Sequence, residues 1–310
     1  MEGELEWIQM EIWKEMEHCR ICPRNCGVNR NQGELGFCRV PAEVILARAA
    51  LHHWEEPCIS GKRGSGTVFF SGCNMGCVYC QNHEIALGIY GKKVSVKRLS
   101  EIFLELQHKG AHNINLVTPS HYVPQIREGI LASRGLGMTL PIVYNTSSYE
   151  KVETLKMLEG LVDIYLPDFK YFDEDLGLRY SRTKEYRTIA LEALKEMVRQ
   201  TGEPVFDEEG MLLKGTIIRH LSLPGSLGDS KEILMLLKDT FGSGVYFSIM
   251  NQYTPMEVSR RYPELQRKLT EEEYEELVSF AQLLGIRKAF IQEGETQDES
   301  FIPPFNGEGL

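Results

Sequence analysis

With 310 residues, 42% of them apolar and 25% charged, the chain is long enough for one large α/β domain and has the balance of a globular protein. Its 44 acidic residues outnumber 34 basic ones, and the formal net charge of −10 argues against a broad nucleic-acid surface, so no nucleic-acid partner is expected. No apolar run approaches membrane-spanning length, and the acidic opening Met1-Glu2-Gly3-Glu4 is not followed by the apolar core of a signal peptide, so a cytoplasmic location without membrane contact is expected.

Leu5, Ile8, Ile12 and Met16 recur at helical spacing and predict a short amphipathic helix packed on the domain. Cys19, Cys22, Cys26 and Cys38 follow in the spacing C-x2-C-x3-C-x11-C, with Pro23, Gly27, Gly33 and Gly36 between them. Such a knot has no hydrophobic core of its own and is expected to be held by a metal, either zinc closed by four thiolates or an iron–sulfur cluster. Eight cysteines clustered as they are here read as metal binding rather than a disulfide framework. An apolar run at 44–50 predicts a strand. His52 and His53 would face opposite sides of an extended segment, so they are not expected to share a metal. Cys58 is expected to be a buried or cleft-lining thiol.

After the apolar run 66–70 comes Gly72-Cys73-Asn74-Met75-Gly76-Cys77-Val78-Tyr79-Cys80, a C-x3-C-x2-C pattern. Three thiolates this close point inward from a tight loop, which Gly72 and Gly76 allow to wrap closely. An iron–sulfur cubane takes four cysteines. Three, with no fourth nearby downstream, imply one iron left open to a non-protein ligand; zinc would need a fourth ligand from elsewhere.

Beyond the loop, helical and strand-like stretches alternate. A helix after Ser95 carries Leu99, Ile102, Phe103 and Leu106 on one face and ends at Gly110. Strands are predicted at 113–117, 141–144, 161–166, 212–219 and 245–249, and helices near 123–131, 149–158, 188–200 and 230–241. The last long helix opens with the capping box Thr270-x-x-Glu273. The alternation argues for a parallel sheet. Six βα units, counted from the loop, are fewer than the eight of a closed barrel and leave a lateral opening that admits a large substrate such as a protein or peptide loop. The strand ends carry Thr118-Pro119-Ser120, Asn145-Thr146, Asp168-Phe169-Lys170, Arg219-His220 and Asn251-Gln252, all polar after apolar runs, which suggests one lined cavity.

With Tyr79 directly before its third cysteine, the loop resembles the hallmark of the radical S-adenosylmethionine (SAM) superfamily, C-x3-C-aromatic-C after the first barrel strand. The similarity runs from Cys19 to about residue 293 and is greatest to pyruvate formate-lyase activating enzyme and its relatives with a cysteine-rich N-terminal segment. It implies an α/β fold: a partial (β/α)6 TIM-like barrel of the radical SAM type over 63–293, behind a 1–62 helix and cysteine-rich metal-binding segment and before a 294–310 tail. It implies a [4Fe-4S] cluster on Cys73, Cys77 and Cys80, with SAM chelating the open iron. Tyr79 would lie beside the adenine, and Asn145 and Thr146 would meet the ribose. Asp168 and Lys170 match a D-L-K turn, Lys170 meeting a carboxylate and Asp168 an amino group or hydroxyl. Arg219, His220 and Asn251 stand at strand ends as further SAM or substrate contacts. Where the superfamily usually holds the SAM amino group with a G-G-E-like turn, this chain offers the oxygens of Thr118 and Ser120.

The resemblance further implies reductive cleavage of SAM to a 5′-deoxyadenosyl radical that abstracts hydrogen from a substrate, in an activase-like reaction on a glycine of a partner enzyme or on another peptide or metabolite, driven by an external one-electron reductant. The other reading of the same cysteines is an iron–sulfur electron carrier or a zinc-stabilised scaffold without SAM chemistry.

Overall fold

The computed structural model describes residues 14–88, 90–292 and 303–310. Of the helix expected around 5–16, the part up to residue 13 lies outside the described residues; Met16 is buried in the main core.

The apolar runs form β1 (Val44–His52), β2 (Ser65–Phe70), β3 (Lys92–Val94), β4 (Ile114–Val117), β5 (Ile142–Thr146), β6 (Ile164–Pro167), β7 (Val205–Phe206), β8 (Leu212–Leu221), β9 (Tyr246–Met250) and β10 (Ala289–Ile291). They join in the order β10-β9-β8-β6-β5-β4-β2-β1-β3, with β7 paired to β8. From β2 to β10 the neighbours along this path run parallel, while β1 is antiparallel to both β2 and β3. The two ends of the path do not pair, so the sheet is an open arc. Six parallel strands match the expected units, and the short β10 adds a seventh. β2, β4, β5 and β6 are buried at every residue, as strands are when both faces are covered.

Helices cover the outer face. The helix Val96–His108 starts at Ser95, whose hydroxyl accepts the Arg98 amide, and buries Leu99, Ile102, Phe103 and Leu106 as its periodicity predicts. The Thr270–Glu273 capping box forms in full. The helix expected at 149–158 is shortened to Val152–Lys156, because Ser148 takes a left-handed φ of 64° and the chain turns through Glu150 before it can wind. A helix that the sequence reading did not foresee, Glu174–Ser181, is capped by Asp173, whose carboxylate accepts the Asp175 amide; the acidic first turn was its signal. No helix among the described residues is long and apolar enough to cross a membrane.

The inner face is filled at its lower end. The segment after β1 turns into a short helix, Pro57–Ser60, whose Cys58 and Ile59 pack against Val143, Ile164, Leu166, Leu212 and Ile217. Asn113 fastens this plug by donating to the Ile59 carbonyl at 2.7 Å. Above the plug, residues from β2, β4, β5, β8 and β9, together with Asp168 and Lys170 just past β6, line one cavity, so the arc is curved enough for its strand ends to converge. Residues 303–310 return across β1: Ala49 donates to the Glu308 carbonyl at 2.9 Å, Phe305 meets Phe69 edge-on, and Pro303 reaches the cavity.

The helix Val123–Gly135 approaches Val96–His108 most closely at Gly129, where a Cβ would stand 3.0 Å from Leu99 and 3.5 Å from Phe103. Gly129→Leu is therefore expected to overpack this crossing and destabilise the fold by about 1–3 kcal/mol, read as a lower urea midpoint at unchanged slope.

Candidate active site

The three loop cysteines are half-buried at the top of the cavity. Gly72 (φ 87°) is required here, because a Cβ would strike the Cys38 carbonyl at 2.6 Å. The Met75 amide points at Cys73 Sγ at 3.3 Å, and the Ser181 hydroxyl donates to Cys77 Sγ at 3.0 Å. The hydroxyls of Ser181, Tyr171 and Tyr79 continue in a chain at 2.6 and 2.7 Å. Tyr79 thus lines the cavity, but its hydroxyl is committed and its ring is edged by Tyr171, Tyr180 and Tyr253.

The loop is also gripped from outside. Arg24, which sits between Cys22 and Cys26, donates to the carbonyls of Asn74 (2.7 Å), Met75 (3.4 Å), Ser181 (2.9 Å) and Arg182. Its guanidinium stacks 3.6 Å above the Phe37 ring. The N-terminal knot therefore packs directly on the cysteine loop.

Below the loop lies a buried ionic floor. Arg219 donates to Asp168 (2.7 Å), Glu55 (3.0 Å) and the Asn145 side-chain Oδ1 (2.8 Å), and stands 3.9 Å from Glu56. Asn145 and Asn115 donate to the other Glu55 oxygen at 3.2 and 3.1 Å. Lys170 closes the set with a 2.8 Å bond to Asp168. Burial alone would raise Asp168, but Arg219 and Lys170 hold it below the ordinary carboxylate range. Burial would lower Lys170, yet Asp168 and Cys77 keep it raised. Glu56 is pushed up by burial against the pull of Arg219. Arg219, Asp168, Lys170 and Glu55 can share this buried site because each is paired and hydrogen-bonded, whereas the Glu56 Oε2 has no hydrogen-bond partner.

Of the side chains singled out from the sequence, Cys73, Cys77, Cys80, Tyr79, Thr118, Asn145, Thr146, Asp168, Lys170 and Arg219 share this cavity. Ser120, His220 and Asn251 stand outside its lining. His220 is buried, with its ring nitrogens 2.8 Å from the Phe169 carbonyl and the Ser230 hydroxyl, and burial pulls it down to about 4. At β9 it is Gln252, not Asn251, that faces the cavity, its carbonyl taking a 2.8 Å bond from Gln81. Ser120 and Thr146 both turn their hydroxyls to Glu150, a buried carboxylate that the sequence reading passed over. Thr118 adopts a φ of 58°, a strained setting for a β-branched residue. Glu55 and Glu56 were also missed: they precede the first barrel strand, in a segment with no βα rhythm. Their only signal was a pair of acids amid His52, Trp54 and Pro57.

The loop suits an iron–sulfur cluster. Its sulfurs already receive an amide and a hydroxyl, and burial pushes the Cys73 thiol up to about 11 while Lys170 pulls it down. An iron core supplies the missing cation and takes the thiols as thiolates. Zinc requires four ligands, one more than the three cysteines of the loop supply.

A model of the Radical SAM superfamily matches residues 67–212. The uncharacterized protein MJ0674 of Methanocaldococcus jannaschii is 30% identical over 285 residues, covering 89% of this chain and 78% of that one. Among solved structures, a radical SAM methyltransferase from Sphaerobacter thermophilus has a TM-score of 0.51 at 15% identity, over 74% of this chain and 67% of that one. Native anSMEcpe with bound AdoMet gives 0.50 at 12% identity, over 72% and 61%. These likenesses are of fold. A domain of pyruvate-formate lyase-activating enzyme from Bacteroides vulgatus reaches only 0.38 over 56% of this chain, too remote to bear on the type of reaction.

Glu150 yields a pH test. Burial raises it from 4.5 to about 7, against the pull of its hydroxyl donors. Between these values the folded chain holds a proton that the unfolded chain has lost, so stability falls as pH rises through the window, by up to about 1.4 kcal/mol per pH unit. Urea unfolding of wild type and Glu150→Gln from pH 4.5 to 7.5 is expected to show that contribution in the wild type and its loss in the variant.

Proposed function

This chain belongs to the radical SAM superfamily, and from that premise we propose that Cys73, Cys77 and Cys80 hold the [4Fe-4S] cluster and that the cavity beneath them binds SAM and presents it to a peptide or protein segment, in an activase-like hydrogen abstraction. Cys73, Cys77 and Cys80 would hold the cluster, which, supplied with an electron by an external reductant, would provide the reductive cleavage of SAM that starts hydrogen abstraction from a substrate. The observation that carries the reading is the juxtaposition of a three-cysteine loop with the Lys170–Asp168–Arg219–Glu55 floor. An electron carrier needs no cavity beside its cluster.

Each residue's part follows from its surroundings. Lys170 lies between Asp168 and the cysteine loop and spends one hydrogen on Asp168; its remaining donors orient the SAM carboxylate. Asp168 keeps its charge at neutral pH and accepts from the SAM amino group or a ribose hydroxyl. Asn145 is locked by Arg219 and Glu55, so it offers SAM a fixed edge rather than a free rotor. Thr118 supplies its oxygen at the end of β4. Fixing the reactants in this way spares the reaction the entropy of aligning them, and the plug below excludes water. The open arc and the exposed Trp54 at the cavity's edge favour an extended substrate that enters from the side.

Reduced, cluster-loaded protein mixed with SAM should release methionine and 5′-deoxyadenosine in equal amounts, and Cys77→Ala should release neither; a silent wild type overturns the radical reading. Asp168→Asn removes one of the two carboxylates bonded to Arg219 and the partner of Lys170, and should weaken SAM binding at least about tenfold by calorimetry. Peptides deuterated at glycine Cα test the substrate class: deuterium in 5′-deoxyadenosine supports a peptide, whereas SAM cleavage that never acquires the label removes the peptide proposal alone.

A further inference from the structure

The outer side of the cysteine loop carries a basic face. Arg24 holds the carbonyls of Asn74, Met75, Ser181 and Arg182 there and does not line the cavity. Direct bonds bring the neighbouring segments together. Lys151 Nζ donates to the Arg20 carbonyl at 2.7 Å and to the Asn25 side chain. The Asn74 side-chain amide donates to the Tyr149 carbonyl at 2.7 Å, and the Tyr149 hydroxyl to the Lys184 carbonyl at 3.1 Å. Residues 20–26, 149–151 and 181–185 thus bring Arg20, Arg24, Lys151, Arg182 and Lys184 to one region. The acids of the same segments are Glu150, which is buried, and Glu185, which is exposed. Arg20, Arg182 and Lys184 are exposed, and among the described residues their side chains have no hydrogen-bond or ion-pair partner. On a chain of net charge −10 this face runs against the charge of the whole.

A short route leads inward from this face. Ser181, the residue before Arg182, donates its hydroxyl to Cys77 Sγ at 3.0 Å. Asn74, whose carbonyl Arg24 holds at 2.7 Å, adjoins Cys73. A partner seated here is a few bonds from two of the three loop sulfurs, and electron transfer weakens steeply with distance. None of the five cations lines the cavity. A substrate must enter the cavity, whereas an electron donor needs only to approach the sulfurs, so the position of the face suits a donor. Its charge then selects the class of donor: exposed cations raise the rate at which an acidic protein docks and suppress basic ones.

We propose that this face docks the external one-electron donor, a small acidic electron-carrier protein, and that Arg20, Arg182 and Lys184 steer it. The inference rests on the radical SAM reading of the three-cysteine loop. The donor is oxidised by one electron, the cluster on Cys73, Cys77 and Cys80 is reduced by the same electron, and cleavage of one SAM consumes it. Arg24 has a different part: its guanidinium is committed to backbone carbonyls, so it keeps the docking face and the loop in fixed register.

The test titrates the cluster-loaded full chain with an acidic [2Fe-2S] ferredoxin by calorimetry. Wild type is expected to bind it with an affinity that falls as salt is added. Arg20→Glu, Arg182→Glu and Lys184→Glu together should weaken binding at least about tenfold, while Lys62→Glu, an exposed cation beyond the plug, should leave it unchanged. If the triple variant does not fold, Lys184→Glu alone carries the comparison, with a loss of about threefold expected. Equal affinity in wild type and variant overturns the proposal, as does a wild type that binds an RNA oligonucleotide but not the ferredoxin. SAM cleavage driven by photoreduced ferredoxin should fall in the triple variant, and cleavage driven by dithionite should not. An equal fall in both places these side chains in the fold or the cavity instead and overturns the docking role. A wild type silent with dithionite strikes the radical SAM reading, while the binding comparison still decides the docking face.

Discussion

The Arg219 guanidinium is the point at which the architecture closes. It takes its partners from β6, β5 and the plug that follows β1, binding Asp168, Asn145 and Glu55 with separate nitrogens. None of these groups could be buried alone without several kcal/mol of desolvation. Together they fix the register of neighbouring strand ends, where Asp168 bridges to Arg219. The floor of the cavity is therefore a requirement of the fold before it is a feature of the chemistry. On the proposed reading, SAM would meet a surface whose charges are already oriented, which is the condition for electrostatic help without reorganisation.

Much of this could be read from the residues. The parallel sheet followed from alternating apolar strands and amphipathic helices, and the cavity from polar residues at successive strand ends. The cysteine loop was legible because spacing and side-chain chemistry coincide there. What escaped was set by long-range pairing. Nothing in the order Trp54-Glu55-Glu56-Pro57 says that Glu55 will meet Arg219, which lies 164 residues away. Glu150 escaped because a carboxylate at the start of an expected helix looks like ordinary surface. His220 carried the opposite lesson: a polar strand-end residue can turn into the core when a hydroxyl such as Ser230 is there to receive it.

The N-terminal cysteines and the cysteine loop are adjacent in space. Gly72 fits under the Cys38 carbonyl, Phe37 lies near Gly76, and Arg24 spans from one to the other. Whatever stiffens the knot stiffens the loop. That link is made largely of backbone carbonyls, so it depends on the path of the chain rather than on the identity of the residues that supply them.

The plug has an evolutionary corollary. Because Glu55 and Glu56 come from the stretch ahead of the first barrel strand, a gene segment encoding the barrel alone would inherit Arg219 stripped of two of its three acidic neighbours. Recombination that exchanges the front of this protein for another would have to import an equivalent pair of acids at the same depth. The two parts are consequently expected to travel through gene fusions and duplications as one unit, and shuffling at their junction to leave few survivors.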